Sequence, residues 1–363
     1  MLQLQWRGWR WLWAVGPLLI GGCGCYELGY STSVAIGELN FLVSAVPIEE
    51  ALDDPALTDE QREKLALAIR ARDYAEQVIG LNVGTSYRTF VNLNGKPLAW
   101  NLSASRKDAV EAYYWDVPFV GPIPYLGYFE FDQAVAERDW LVAQGYDTLI
   151  YEIEAYSTIG LLPDPMTSSL LKNDATRFID TIIHELLHNT VWSGWNTVFD
   201  ESLAVFVART GAMEFLTSEF GPEDPLVQQA RENYADTELF NAFLDQLRAE
   251  LDELYGRDLS RDEKIEARQP IFEAARQRVA DELLPAMNNP ATYETYATFD
   301  FNNAFMLVNE RYHTDFDLFA NVYELAGRNW ATALDLFRQA AESEDPFAFL
   351  RNLLTEDAAG MEN

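Results

Sequence analysis

The chain has 363 residues, of which 48% are hydrophobic, so it is long enough for one large domain or two modest ones with a packed core. Its formal net charge of −32 argues against binding to nucleic acid, which needs clustered Lys and Arg, and against electrostatic docking on anionic lipid. The acidity is typical of a heavily hydrated surface, or of a field that favours substrates with a free amino terminus or basic side chains.

The amino terminus is typical of a processing segment. A short basic region precedes an apolar run over residues 11–20, which is too short to span a bilayer. The letters "IGGC" that end at Cys23 resemble the lipobox of a bacterial lipoprotein, which predicts cleavage of residues 1–22 and acylation of Cys23. Cys25 is the alternative lipidation site, and an ordinary signal peptide or an uncleaved anchor is the alternative to lipidation. No later stretch is long and apolar enough to span a membrane.

The next part of the chain mixes helical and strand patterns. Residues 36–80 carry apolar residues at helical spacing, and the letters "LTDEQ" within them are typical of a capped helix start. Two β-rich runs within residues 86–105 flank Asn94-Gly95, which predicts a hairpin. The stretch 117–129, with three prolines and two glycines, indicates an ordered loop, and residues 148–158 alternate like a half-buried strand.

From residue 174 the pattern is nearly all helical. It predicts helical segments over residues 176–193, 201–217, 240–254, 264–284 and 301–354. The third and fourth of these segments are charged, and we expect them to form a helical hairpin packed on the body.

Two of the chain's three histidines lie four residues apart. On an α-helix this spacing projects His184 and His188 from one face, so that both imidazoles can reach a single zinc ion. Glu185 points partly around the helix and can serve as a general base toward water that the metal activates. A helix that merely carries two histidines is the alternative, but its apolar surroundings make an uncompensated charged pair costly. We therefore predict one zinc ion per chain.

A catalytic zinc ion takes three protein ligands and keeps an open position. The third histidine of the longer pattern H-E-x-x-H-x-x-G-x-x-H is absent, because Val191 stands at its glycine position and Gly194 at its histidine position. We predict Glu201, near the start of the next helix, as the third ligand. Asp200 would then be a hydrogen-bonding partner in the surroundings of the ligands or the cap of that helix.

The stretch from His184 to Ala208 resembles the motif of the bacterial predicted-aminopeptidase lipoproteins, a zincin-like family. In that family an acid in an N-E-x-x-A-like stretch follows H-E-x-x-H after twelve residues, and the same spacing separates His188 from Glu201 here. Asp200 stands where the family usually has Asn, and Leu187 where it has a small residue. The resemblance extends over most of the chain, with further matching stretches at residues 29–50, 86–91, 117–129, 155–171 and 301–313.

The resemblance implies a zincin-like metallopeptidase fold that is α+β and mostly α. We expect a small β-sheet from residues 86–158 packed on the metal-binding helices, with the long helical hairpin of residues 230–285 beside the cleft or covering it. After the signal peptide, the chain would form a single peptidase domain over residues 23–363, with amino-terminal helices and sheet in 26–173 and the helical part with the metal site in 174–363.

The resemblance also implies a zinc-dependent peptidase, by the family's name an aminopeptidase, that acts on peptide or protein substrates with Glu185 as general base. An envelope endopeptidase and a non-catalytic zinc-containing lipoprotein scaffold are the alternatives. The lipobox predicts export to the bacterial cell envelope, with membrane contact through the lipid anchor only. We expect the periplasmic face of the outer membrane rather than the inner membrane.

Two further groups of residues are candidates for the site. Peptide hydrolysis needs a hydrogen-bond donor for the tetrahedral oxyanion, and Tyr312 and His313 are candidates whose alternative role is packing. Tyr156, Ser157 and Thr158 follow the strand predicted before them and are candidates for binding extended substrate backbone. A buried strand end is their alternative role.

Overall fold

The computed structural model of the protein describes residues 37, 41–117, 121–155, 158, 162–310 and 315–361. The strands are β1 (Val46–Pro47), β2 (Thr89–Val91), β3 (Ala99–Arg106), β4 (Trp115–Val117), β5 (Gly121–Ile123), β6 (Tyr125–Tyr128), β7 (Tyr146–Ile153) and β8 (Met166–Thr167). The α-helices of the first two thirds are α1 (Ile48–Leu52), α2 (Asp59–Tyr74), α3 (Phe131–Ala143), α4 (Ala175–His188), α5 (Thr197–Phe220) and α6 (Pro225–Tyr255). Those of the last third are α7 (Arg261–Ala267), α8 (Gln269–Arg278), α9 (Leu284–Ala286), α10 (Asn303–Glu310), α11 (Phe316–Leu325), α12 (Trp330–Glu342) and α13 (Pro346–Met361).

The described strands form three small sheets, not the single sheet that we expected. In the first sheet β2 pairs antiparallel with β1 and parallel with β8. In the second, β3 lies between β6 and β7 and is antiparallel to both, with Ala99 opposite Ile153. The third is the antiparallel pair of β4 and β5. The architecture is nonetheless mostly helical with little sheet, as the sequence predicted.

The turn at Asn94-Gly95 forms, but the predicted hairpin around it is wrong. Both residues have positive φ angles, 52° and 83°, and the N–H of Lys96 donates to the carbonyl of Leu93 at 3.1 Å. However, the N–H of Leu93 donates to the hydroxyl of Ser168 at 2.8 Å, on the segment that follows β8. The backbone around β2 is therefore engaged by β8, and β2 and β3 lie in different sheets.

The stretch 117–129 is not the loop that we predicted, because it contains β5 and β6. Pro122 lies in the two-stranded sheet, a position that tolerates a residue without an N–H. Leu126 and Tyr128 on β6 are buried in a core that the second sheet shares with α3. The many prolines and glycines of this stretch obscured, in the sequence, the alternation of more buried and less buried residues along β6.

Most helices lie within the segments that the sequence predicted, but α3 was not predicted and several boundaries differ. Thr58 caps α2 in a capping box with Gln61, as expected. The predicted segment 36–80 also contains β1, and α4 ends at His188, five residues before its predicted end. The returning arm of the hairpin is broken between α7 and α8, where Pro270 cannot continue the hydrogen-bond ladder.

The hairpin of α6 to α9 packs on the body through its own apolar core. A buried ion pair joins the hairpin to β7, an edge strand of the second sheet. The guanidinium of Arg268 donates to both carboxylate oxygens of Asp147 on β7, at 2.5 and 2.9 Å. The backbone N–H of Asn303 also donates to Asp147, at 3.1 Å.

The largest core surrounds α4 and α5. Ile182, Ile183, Leu186 and Leu187 on α4 are fully buried in it. Gly211 lets α5 pack closely against the turn that follows α2, because a Cβ at this position would lie 2.5 Å from the side chain of Ile79 on that turn. Across the described residues, no helix combines the length and the apolar character needed to cross a membrane.

Candidate metal centre

Helix α4 carries both motif histidines on the side opposite its apolar face. Asp174 caps the helix by accepting the N–H of Arg177 at 3.1 Å, and one helix side is buried in the core. The other side faces α5, where the side chains of His184 and His188 are 15% and 7% exposed. The helical spacing therefore brings the two imidazoles together, as the sequence predicted.

Three donor atoms converge between α4 and α5. The Nε2 atom of His184 lies 3.1 Å from Oε2 of Glu201 and 3.2 Å from Nε2 of His188, and His188 Nε2 lies 3.7 Å from the same carboxylate oxygen. Metal bonds of 2.0–2.2 Å at tetrahedral angles separate ligand atoms by about 3.3 Å. The group His184, His188 and Glu201 could therefore hold a metal ion.

The loop between the two helices is fixed by Asp200. Its carboxylate accepts the backbone N–H of Ser193 and the hydroxyl of Ser193, each at 2.8 Å. The expectation that Asp200 caps α5 is wrong, because Asn196 caps that helix through the N–H of Phe199 at 3.0 Å. Asp200 instead holds the loop that leads into α5, and its other predicted role, as a supporting residue around the metal ligands, stays a prediction.

The charges at the centre act on each other strongly. Burial alone would raise the pKa of Glu201, but the imidazoles of His188 and His184 outweigh burial and hold that pKa well below its usual range. The carboxyl of Asp200 behaves oppositely, since burial raises its pKa to about 6 despite the hydrogen bonds from Ser193. The surroundings therefore favour the charge on Glu201, whereas burial disfavours the charge on Asp200.

Glu185 lies on α4 directly after His184. Burial raises the pKa of Glu185 to about 7; the charge of His184 lowers it, and the charges of Glu201 and Asp164 add to the increase. Asp164 itself is buried and accepts the hydroxyl of Ser86 at 3.3 Å. The sequence did not single out Asp164, because nothing in its local pattern indicates that it approaches the motif helix.

His188 is oriented by packing. Its ring meets the ring of Trp192 edge-on, with the centroids 5.2 Å apart. Its Nδ1 atom is buried and has no hydrogen-bonding partner among the described residues. The side chain thus has its Nε2 atom toward Glu201, and its Nδ1 atom is buried.

Several predicted residues lie outside the described residues, namely Cys23, Tyr156, Ser157, Tyr312 and His313. Thr158 is described, and its backbone N–H donates to both carboxylate oxygens of Asp164 at 3.2 and 3.1 Å. Its hydroxyl lies 2.9 Å from the N–H of Leu162, which donates to it. Asp164 therefore accepts a hydrogen bond from Thr158 and also acts electrostatically on Glu185 of α4. A role of Thr158 in substrate binding stays a prediction.

A second pair of polar side chains extends the site along α4. The hydroxyl of Tyr234 on α6 donates to Asp180 at 2.5 Å, and Asp180 precedes His184 by one helical turn. Burial raises the pKa of Asp180 to about 7, although the Tyr234 hydrogen bond and the charge of Arg209 act in the opposite direction. The four-residue spacing of Asp180, His184 and His188 could have indicated this acid from the sequence; Tyr234 carried no such signal.

Comparison with known proteins gives one informative result. No curated protein and no solved structure matches the chain. One family model, described as "Putative aminopeptidase", matches residues 29–346. That family's name indicates peptidase activity, in agreement with a site that could hold a metal ion beside a glutamate. Because the match spans most of the chain, the protein belongs to that family.

Proposed function

We propose that the protein is a zinc-dependent aminopeptidase. The observation that carries this proposal is the convergence of His184, His188 and Glu201 beside Glu185, in a chain of an aminopeptidase family. Two imidazoles and one carboxylate are a ligand set that zinc takes at catalytic sites. When bound there, zinc would supply a Lewis acid that polarises a carbonyl and activates water.

The roles of the chain's own residues follow from their positions. His184, His188 and Glu201 hold the metal, and the loop contact from Asp200 to Ser193 keeps Glu201 against α4. Glu185 accepts a proton from the attacking water and returns it to the leaving amine. These are the roles of the H-E-x-x-H arrangement in a zincin-like peptidase.

The proposal includes export and anchoring. The lipobox that ends at Cys23 supports a mature chain held at the bacterial envelope by its acylated amino terminus. Mass spectrometry of the protein purified from membranes would identify an acylated Cys23 as the first residue. An unmodified amino terminus, or acylation at Cys25, would contradict the assignment to Cys23.

The function is tested with full-length protein in mild detergent. We expect about one zinc per chain by elemental mass spectrometry and loss of zinc in a His184→Ala, His188→Ala double variant. We expect hydrolysis of peptides with a free amino terminus and none of their acetylated counterparts. The Glu185→Gln variant should keep its zinc and lose turnover.

Each arm has an outcome that contradicts the proposal. Cleavage of acetylated peptides would make the protein an endopeptidase. Full turnover by Glu185→Gln would remove Glu185 from the mechanism. An absence of zinc after reconstitution, together with an absence of hydrolysis, would favour a binding scaffold.

A further inference from the structure

A cavity of about 140 Å³ is lined by residues of α5, α6 and α11. Helix α5 contributes Val205 and Arg209 to its wall, and these residues follow Glu201 by four and eight positions. Residues four apart lie on one face of a helix, so the cavity continues the face that carries the third proposed ligand. On α4, Asp180 lies close enough for its pKa to respond to the charges of both Arg209 and His184.

Arg209 is held rigidly in the wall of this cavity. Its side chain is 13% exposed, and its guanidinium lies over the rings of Tyr234 and Phe316, with 5.6 and 5.4 Å to their centroids. It also forms an ion pair with Glu238, whose side chain is 58% exposed at the rim. The guanidinium is therefore the fixed partner of the pair, and the carboxylate is the solvent-exposed one.

The guanidinium retains donors for a further partner. It has five N–H groups, and within the part of the chain that the structure describes one of its nitrogens donates a hydrogen bond, to Glu238. The side chain lines the cavity and is 13% exposed, so a group that enters the cavity can approach the guanidinium. A planar guanidinium fixed between two rings matches the fork geometry of a carboxylate.

We propose that Arg209 binds a carboxylate of the peptide substrate; this rests on the proposed peptidase function. Eight residues of α5 rise about 12 Å, and the side chain leans back toward the amino end of the helix, so the guanidinium lies nearer to Glu201 than its backbone does. An extended peptide advances about 3.3 Å per residue. The bound carboxylate is therefore about two or three residues from the hydrolysed bond.

The acids around the cavity set the strength of this interaction. Glu238 occupies one edge of the guanidinium, and Asp245 on α6 adds a second negative charge to the lining. A substrate carboxylate that binds the remaining donors lies close to Glu238, and the repulsion between the two negative charges weakens its binding. Removal of the charge on Glu238 should accordingly strengthen the binding of substrate. The opposite effect would mean that the acids recognise a substrate cation.

The test measures peptide binding to the zinc-loaded Glu185→Gln protein by titration calorimetry. The probes are tetra-alanine, its carboxy-terminal amide, and an amidated peptide with Glu as its third residue. We expect one of the two carboxylate-bearing peptides to bind about tenfold or more tightly than the plain amide. A preference for the free acid identifies a terminal carboxylate as the ligand, and a preference for the Glu peptide identifies an acidic side chain.

Variants made in the same background assign the effect to Arg209. Arg209→Gln should abolish the preference, and Arg209→Lys, which keeps the charge, should retain part of it. Glu238→Gln should increase it. Arg278→Gln is the matched control, since Arg278 is 18% exposed, lies over the ring of Phe243 and pairs with Glu250, away from this cavity; the preference should persist there.

Equal binding of all three peptides, or a preference that survives in Arg209→Gln, would overturn the proposal. Weaker carboxylate binding in Glu238→Gln would also overturn it. The result is separable from the proposed function. If the wild-type protein hydrolyses no peptide but the preference depends on Arg209, the peptidase proposal fails and the subsite stands. If it hydrolyses peptides with no such preference, the subsite alone fails.

Discussion

Asp200, in the first turn of α5, holds Ser193 in the middle of the loop between α4 and α5 through two hydrogen bonds of 2.8 Å each. One comes from the backbone of Ser193 and the other from its hydroxyl, so both carboxylate oxygens are used. The residue that follows Asp200 is Glu201, whose carboxylate lies 3.1 Å from Nε2 of His184. The position of the third proposed ligand is thus set by a contact that is local in the chain.

Asp200→Asn should weaken zinc binding without removing a ligand. An amide can accept one of the two Ser193 hydrogen bonds but offers a donor to the other, so the loop loosens. We expect about tenfold weaker zinc affinity in a chelator competition assay. Asp224→Asn is the control, because Asp224 caps α6 and should affect stability alone. If Asp200→Asn bound zinc with the affinity of the wild-type protein, the hydrogen bonds between Asp200 and Ser193 would not be what positions Glu201.

Glu201→Gln should lose zinc far more severely. The substitution keeps the size of the side chain but replaces an ionised carboxylate, held in that state by two imidazoles, with a neutral amide. We expect a loss of affinity that exceeds the tenfold to hundredfold typical of the residues around a ligand. The comparison is Glu185→Gln, which removes the other glutamate and should keep full zinc content. Equal zinc content in both variants would exclude Glu201 as a ligand.

Asp180 should make the zinc-free protein less stable as the pH rises from about 4 to about 7. Burial raises the pKa of Asp180 to about 7 in the folded chain, whereas an unfolded aspartate titrates near 3.9. Between these values the folded state keeps a proton that the unfolded state has lost, so the free energy of unfolding decreases with rising pH and levels off above the folded pKa.

Urea unfolding at several pH values with a chelator present measures this effect. Asp180→Asn should remove a slope that amounts to about 2 to 4 kcal/mol over the interval. Tyr234→Phe removes the hydrogen bond that lowers the pKa of Asp180, so its slope should extend to higher pH. An unchanged slope in Asp180→Asn would assign the pH dependence to other groups.

Asp147→Ala should destabilise the protein by about 3 kcal/mol or more. It leaves the guanidinium of Arg268 buried and without its carboxylate, and the backbone N–H of Asn303 without an acceptor. Glu253→Ala breaks the exposed ion pair between Glu253 on α6 and Arg257 just beyond that helix, and should cost less than about 1 kcal/mol. Similar losses in the two variants, measured by chemical unfolding, would show that the hairpin does not depend on the Asp147 contact.

The part of the site that the sequence predicted is the part governed by helix geometry. The spacing of His184 and His188 fixes their common face, and a short capped loop returns Glu201 to them. Both relationships span fewer than twenty residues, so local rules determine them. The Asp180–Tyr234 contact joins residues 54 apart and depends on how α6 packs.

The pairing of the strands likewise could not be predicted from local sequence rules. Asn94-Gly95 has the dihedral angles of a hairpin turn, yet β2 pairs with β8, which places Phe90 opposite Met166. Turn chemistry specifies the turn, whereas the pairing partner depends on which distant strand can bury the apolar face of β2. The prediction of a loop over residues 117–129 was wrong for a related reason. Proline is compatible with a two-stranded sheet, and the sequence alone does not reveal that such a sheet forms there.

The closeness of the three proposed ligands in the chain also bears on the order of folding. They lie within residues 184–201, on two consecutive helices, so their loop closes at small entropic cost and involves contacts of low sequence separation. The β2–β8 pairing needs a much longer excursion of the chain. Zinc should therefore bind the α4–α5 pair before β2 and β8 have paired. Pulse-labelled hydrogen exchange, with and without zinc, would then show these two helices protected first.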